Sequence, residues 1–125
     1  MNSDKTNAPD GQDLRDRTKA LALRVIRMYT SLPKSNAAQV LGNQVLRSGT
    51  SPGAHYREAH RSRSNAEFIS KIEGGLQELD ETGYWLELLA ESGIVPPKRL
   101  VDLRTEVDEL TAIFTSIAIS AKKRK

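Results

Sequence analysis

No cysteine occurs in the 125 residues, so the chain holds neither a disulfide nor a thiolate, and its chemistry suits a reducing cytosol. No apolar run approaches the roughly 20 residues that span a bilayer. The polar stretch from Met1 to Gly11 lacks the apolar segment of a secretory signal. A phosphate loop is missing as well: Gly49, Gly53, Gly74, Gly75 and Gly83 are not followed by the Lys-Ser/Thr pair such loops require. Strand-like alternation, internal repeats and low-complexity blocks are also lacking. These absences leave a soluble, cytoplasmic, single-domain protein with no membrane partner as the expectation.

What the chain has is charge, unevenly placed. From Arg15 to Arg63, ten Lys and Arg stand against Asp16 and Glu58, yet the net charge of the whole is only +3. From Ser64 to Ala121, eleven Asp and Glu stand against four Lys and Arg. A basic first half and an acidic second half attract each other, either inside one bundle or between copies.

Hydrophobic spacing predicts four helices. Residues 1–11 read as a disordered arm, and Asp10 or Asp13 is placed to cap the first helix. Leu14, Thr18, Leu21, Val25, Met28 and Leu32 form a seam at spacings of four and three. Ala22, Ile26 and Tyr29 widen it, and Leu32-Pro33 stops the helix. Ser35 caps the second helix, whose seam is Ala38, Leu41, Val45 and Ser48, with Val40 and Leu46 beside it. Pro52 either breaks this helix or kinks it. The stripe resumes in phase at Pro52, Ala54 and Tyr56, which favours one kinked helix to about His60.

Ser64 with Glu67 three residues on is a capping box, the serine accepting from the third helical N–H and the glutamate reaching back to the cap. Phe68, Ile72, Leu76, Leu79, Gly83, Leu86 and Ala90 then carry a third helix over about 65–91. Gly93 ends it in the left-handed conformation. Pro96-Pro97 opens a fourth helix, with its seam at Leu100, Leu103, Val107, Leu110, Phe114, Ile117 and Ala121. Short links between long helices make an all-α, up-down-up-down antiparallel four-helix bundle over 12–121. Residues 122–125 are left as a basic tail.

The corner between helices two and three has a recognisable pattern. Ser48-Gly49, Ala54, Glu58-Ala59, Arg61, Ser64, Glu67-Phe68, Lys71, Leu76, Glu78-Leu79 and Gly93-Ile94 resemble the four-helix-bundle family encoded in 23S rRNA intervening sequences, over about residues 15–120. Where that family carries a glycine-containing corner after the glutamate, this chain has Ala59-His60-Arg61. The resemblance implies a homopentameric ring with no enzymatic activity or cofactor. It is similar in build to the accessory variability determinant of diversity-generating retroelements, a basic pentamer that works with nucleic acid and a reverse transcriptase as protein partner.

Catalytic and metal chemistry find little support in the residues themselves. His55 and His60 are five apart, about 140° around a helix, and read as surface histidines rather than a zinc pair. Glu73, Glu78, Asp80, Glu81 and Glu87 read as a solvated or partner-facing acidic surface. No catalytic or metal site is expected. Glu58, the only acid among Arg57, Arg61 and Arg63, reads as part of an ion-pair network that fixes the corner with Ser64 and Glu67. It bonds either Arg61 or the start of helix three, with a ligand-facing acid as the alternative.

Arg24, Arg27, Arg57, Arg61 and Arg63, with His60, Lys34 and Arg47 nearby in sequence, are the candidate nucleic-acid contacts, because guanidinium forks suit phosphate and each phosphate neutralised adds salt-dependent affinity. Charge pairing within an assembly is the competing destination for the same arginines. Tyr84 and Trp85 are interface candidates, since aromatics are enriched at such contacts. The two functions carried forward are an accessory RNA- or DNA-binding oligomer and a scaffold that recruits a protein partner.

Overall fold

Two serines start two of the helices. The computed structural model describes residues 11–124 as α1 (Gly11–Thr30), α2 (Asn36–His60), α3 (Asn65–Glu91) and α4 (Pro97–Lys122). Ser35 accepts from the Ala38 N–H at 3.2 Å, and Ser64 from the Glu67 N–H at 3.0 Å. Glu67 does reach back, but to the Arg63 N–H at 2.9 Å rather than to that of the cap. Ser64 is extended at φ −150°, ψ 161°, which lays the preceding peptide against the first turn. Gly93 takes φ 79° beyond the end of α3, a region glycine enters without penalty. The expected arm, the Asp10 cap and Lys125 lie outside the described residues, except that Gly11 already belongs to α1, so Asp13 stands inside the first turn and is not the cap.

The helices run 20, 25, 27 and 26 residues, or about 30–40 Å each, and pack as an antiparallel four-helix bundle. α2 packs on α1 and α3, and α3 on α2 and α4, whereas α1 and α4 touch at few points. Leu14, Leu21, Val25, Val45, Ile72, Leu79, Leu86, Leu110 and Phe114 are fully buried. Each such side chain contributes about 1.5–3 kcal/mol relative to exposure.

α2 continues through Pro52, which is buried. In the turn before it, the Thr50 and Ser51 hydroxyls donate to the Leu46 and Arg47 carbonyls at 2.8 and 2.7 Å. Close helix approach comes from glycines. A Cβ on Gly49 would stand 2.8 Å from Val25 Cγ2, and one on Gly75 2.7 Å from Phe114 Cε2.

The seams need corrections: on α2 Val40 and Ala54 are exposed, and on α4 Ala118 is buried where Ile117 is half-buried. Ile26 is 41% exposed, because α2 covers only the other edge of α1. On α3 the buried stripe includes Gly75 and Thr82 while Phe68, Leu76 and Gly83 are half-buried. The small residues sit where α2 and α4 press closest, so size, and not hydrophobicity, sets the centre of that face.

Candidate nucleic-acid interface

Up-and-down connectivity brings the start of α1, the α2–α3 corner and the end of α4 to one end of the bundle. The Asn65 side chain donates from Nδ2 to the Ala121 carbonyl at 2.8 Å, fastening the end of α4 to the corner. Lys123 and Arg124 follow there, both exposed. Lys122, the last helical residue, reaches Glu73 at 2.6 Å. Arg61 and Arg63 lie exposed in the corner, and Arg57 is half-buried one turn before the end of α2.

A groove of about 280 Å³ runs between α1 and α2 beside this corner. Ala22, Gly53 and Ala54 keep it shallow and open, Thr18 and Thr50 bring hydroxyls, and Lys19 and Arg57 flank it. Among the described residues, Lys19, Arg57, Arg61 and Arg63 form no ion pair. Small residues that let an extended anionic backbone come close, bounded by unneutralised cations, suit a phosphate chain.

Glu58 pairs with Lys71 of α3 at 3.1 Å and not with Arg61. The Lys71 hydrogen bond, and then its charge, holds the Glu58 carboxyl below the usual carboxylate range. Glu58 thus ties α2 to α3 through Lys71, while Ser64 and Glu67 bond locally to the Glu67 and Arg63 N–H groups at the start of α3.

Two other predicted contacts stand elsewhere. Gly53 lies against Thr18, so Arg57, one turn on, is near the level of Leu14, and Arg27 is about 20 Å further along α1. Arg27 lines a different groove with Arg99 at the opposite end. Arg24 is half-buried partway along α1, outside both grooves.

Other arginines are already neutralised. Arg47 pairs with Glu78 at 3.0 Å and with Glu81, and these hydrogen bonds, Glu81 first, raise its pKa. Arg17 donates from Nε and Nη2 to the two Glu106 carboxylate oxygens at 3.0 and 2.7 Å and also meets Glu109 at 3.0 Å. Its pKa is raised, chiefly by the Glu106 bond. The basic and acidic halves therefore attract each other across one bundle at these two points. Nothing in sequence spacing singled out Arg17, Lys19 or Thr50, because their meaning depends on which helix lies opposite.

The histidines separate. His60 is exposed and stacks edge-on to Tyr56 at 4.5 Å. His55 is half-buried, not a surface group, and its ring lies over Gly74, where a Cβ would meet Cε1 at 2.9 Å. Its Nδ1 and the Trp85 Nε1 are buried without a hydrogen-bond partner among the described residues. Tyr84 is 53% exposed and its ring lies 5.1 Å from that of Trp85, which packs against the core.

The family model for the 23S rRNA-intervening sequence protein matches residues 12–116. The chain belongs to that family. A protein of unknown function from the S23 ribosomal protein family of Bacteroides thetaiotaomicron, known from a crystal structure, is 33% identical. The match covers 86% of this chain and 96% of that one, with a TM-score of 0.81. No curated protein matches the chain. For a member of the 23S rRNA-intervening sequence family, the four-helix architecture is thus seen twice, in this chain and in a crystallised relative. No helix among the described residues is long and apolar enough to cross a membrane.

Proposed function

We propose that this protein is a non-enzymatic homo-oligomer, closing as a five-membered ring, that contacts RNA or DNA phosphates through its basic corner. One observation carries the reading: Lys19, Arg57, Arg61, Arg63, Lys123 and Arg124 gather at one end of the bundle without an ion pair among the described residues. A ring multiplies that end by the number of subunits, and cations repeated around an axis suit a folded or looped polyanion. The exposed acids Asp80, Glu87, Glu91, Asp102 and Asp108 on α3 and α4 repel a polyanion from that side of the bundle.

A mobility-shift titration with structured RNA and with duplex DNA, at about 50 and 200 mM salt, tests it. Binding is expected to weaken steeply with salt, each phosphate contact contributing roughly 0.7–0.9 to the logarithmic slope. Absence of binding at the lower salt, or indifference to salt, removes the reading. The pairing of Arg17 and Arg47 with glutamates favours a second one, a scaffold whose charges serve packing. Its mark is a wild-type oligomer that captures one protein and no nucleic acid.

A further inference from the structure

At the end of the bundle away from the basic corner, a groove of about 400 Å³ opens between α1 and α4. Met28, Ile94, Val95 and Leu100 give it an apolar lining, and Arg27 and Arg99, both exposed, stand beside them. Neither arginine forms an ion pair among the described residues. A second unsatisfied feature lies on α3. Asp80, Tyr84, Glu87 and Glu91, spaced four, three and four, make one exposed stripe, acids around a central tyrosine. These three acids also lack an ion pair among the described residues.

We infer that the groove between α1 and α4 receives the Tyr84 stripe of a second copy of this chain. The inference rests on the homo-oligomeric reading above and specifies the surfaces that meet. Charges match, two guanidinium groups against three carboxylates. The apolar lining takes the tyrosine ring and leaves its hydroxyl at the wet margin, where tyrosine is favoured.

Position agrees as well as chemistry. The stripe continues the helical face of Glu73, which bonds Lys122 of α4, and it lies on the outward face of α3, away from the buried side of Ile72, Leu79 and Leu86. The groove opens between α1 and α4, on a different side of the bundle. One copy therefore offers both surfaces at once, and two unlike surfaces of one subunit make a head-to-tail contact that closes by rotation. Both lie toward the end where α3 passes into α4. Subunits arranged with helices along a ring axis present them at the same height.

Light scattering of the full chain at micromolar concentration tests this contact. Arg27→Glu/Arg99→Glu reverses the groove's charge, and Asp80→Arg/Glu87→Arg reverses that of the stripe. Each variant alone is expected at monomer mass, and an equal mixture is expected to form mixed dimers, because one keeps its stripe and the other its groove, so a single intact contact joins the pair. Helicity by circular dichroism separates dissociation from unfolding, and the single change Tyr84→Asp is read in the same way where a double variant loses its fold. Variants that hold the mass of an assembled wild type overturn this contact and leave the oligomeric reading standing. A wild type that is itself monomeric overturns both.

Discussion

Thr82 Oγ1 lies 2.9 Å from Ser48 Oγ, joining α3 to α2 between two fully buried side chains. Thr82 Oγ1 is also 2.8 Å from the Glu78 carbonyl, so the threonine has a backbone acceptor even without its partner. Thr82→Val strips the serine hydroxyl of that partner inside the core, and is expected to cost about 1–3 kcal/mol. Ser48→Ala/Thr82→Val removes both hydroxyls and is expected to cost less than the sum of the single changes. Urea unfolding of the four proteins in a double-mutant cycle checks it; strict additivity would show that the pair is not coupled.

Glycine substitutions on α3 are expected to act in opposite directions. At Gly83 a Cβ would meet Val107 Cγ1 at an ordinary 3.8 Å, so Gly83→Ala should stabilise by about 0.5–1 kcal/mol through backbone entropy. At Gly75 the same methyl would stand 2.7 Å from Phe114, a ring with no exposure and no room to retreat. Overpacking there is expected to cost about 1–3 kcal/mol. Thermal melts of the two variants should fall on either side of wild type.

Acid sensitivity should include a contribution from Lys71. Because Lys71 depresses the Glu58 pKa, the pair contributes fully above the ordinary carboxylate value, near 4.3, and its contribution is lost as pH falls through the folded value. Lys71→Met should therefore lower the urea midpoint slightly at pH 7, with the gap to wild type narrowing toward pH 3. A gap of constant width across that range would assign the loss to something other than this charge pair.

Nucleic-acid affinity should divide the five candidate arginines by their place in the bundle. Arg57→Ala/Arg61→Ala/Arg63→Ala removes up to three phosphate contacts and is expected to reduce the salt slope by roughly 2–3. Arg24→Ala, further along α1 and outside both grooves, should leave that slope within error. Equal losses from both variants would mean that the basic corner is not the contact surface.

Helix limits and connectivity were legible because their signals are local. Ser35, Ser64, Gly93 and Pro97 act within one turn, and the period of Leu100 to Ala121 is nearly unbroken. Pro52 shows what is not local: α2 continues through it with the ring buried, although Ala54 of the expected stripe is exposed. The site was legible only in part. Arg57, Arg61 and Arg63 are neighbours in sequence and in space, whereas Arg24 and Arg27 share their charge but not their end of the bundle. Of the two partners open to Glu58, Arg61 or the start of the third helix, the structure takes Lys71 of α3, a choice that the geometry between two helices makes and the spacing within one does not.

The slender contact between the first and last helices has a thermodynamic corollary. Beyond the Arg17–Glu106 bridge, α1 leans on a single neighbour, so it should detach at lower cost than α3, and its amides should exchange earlier. Yet α1 supplies one wall of both grooves, through Lys19 in one and Arg27 with Met28 in the other. Whatever occupies either groove therefore rivets the loosest helix in place, and binding at one end becomes tighter once the other is filled.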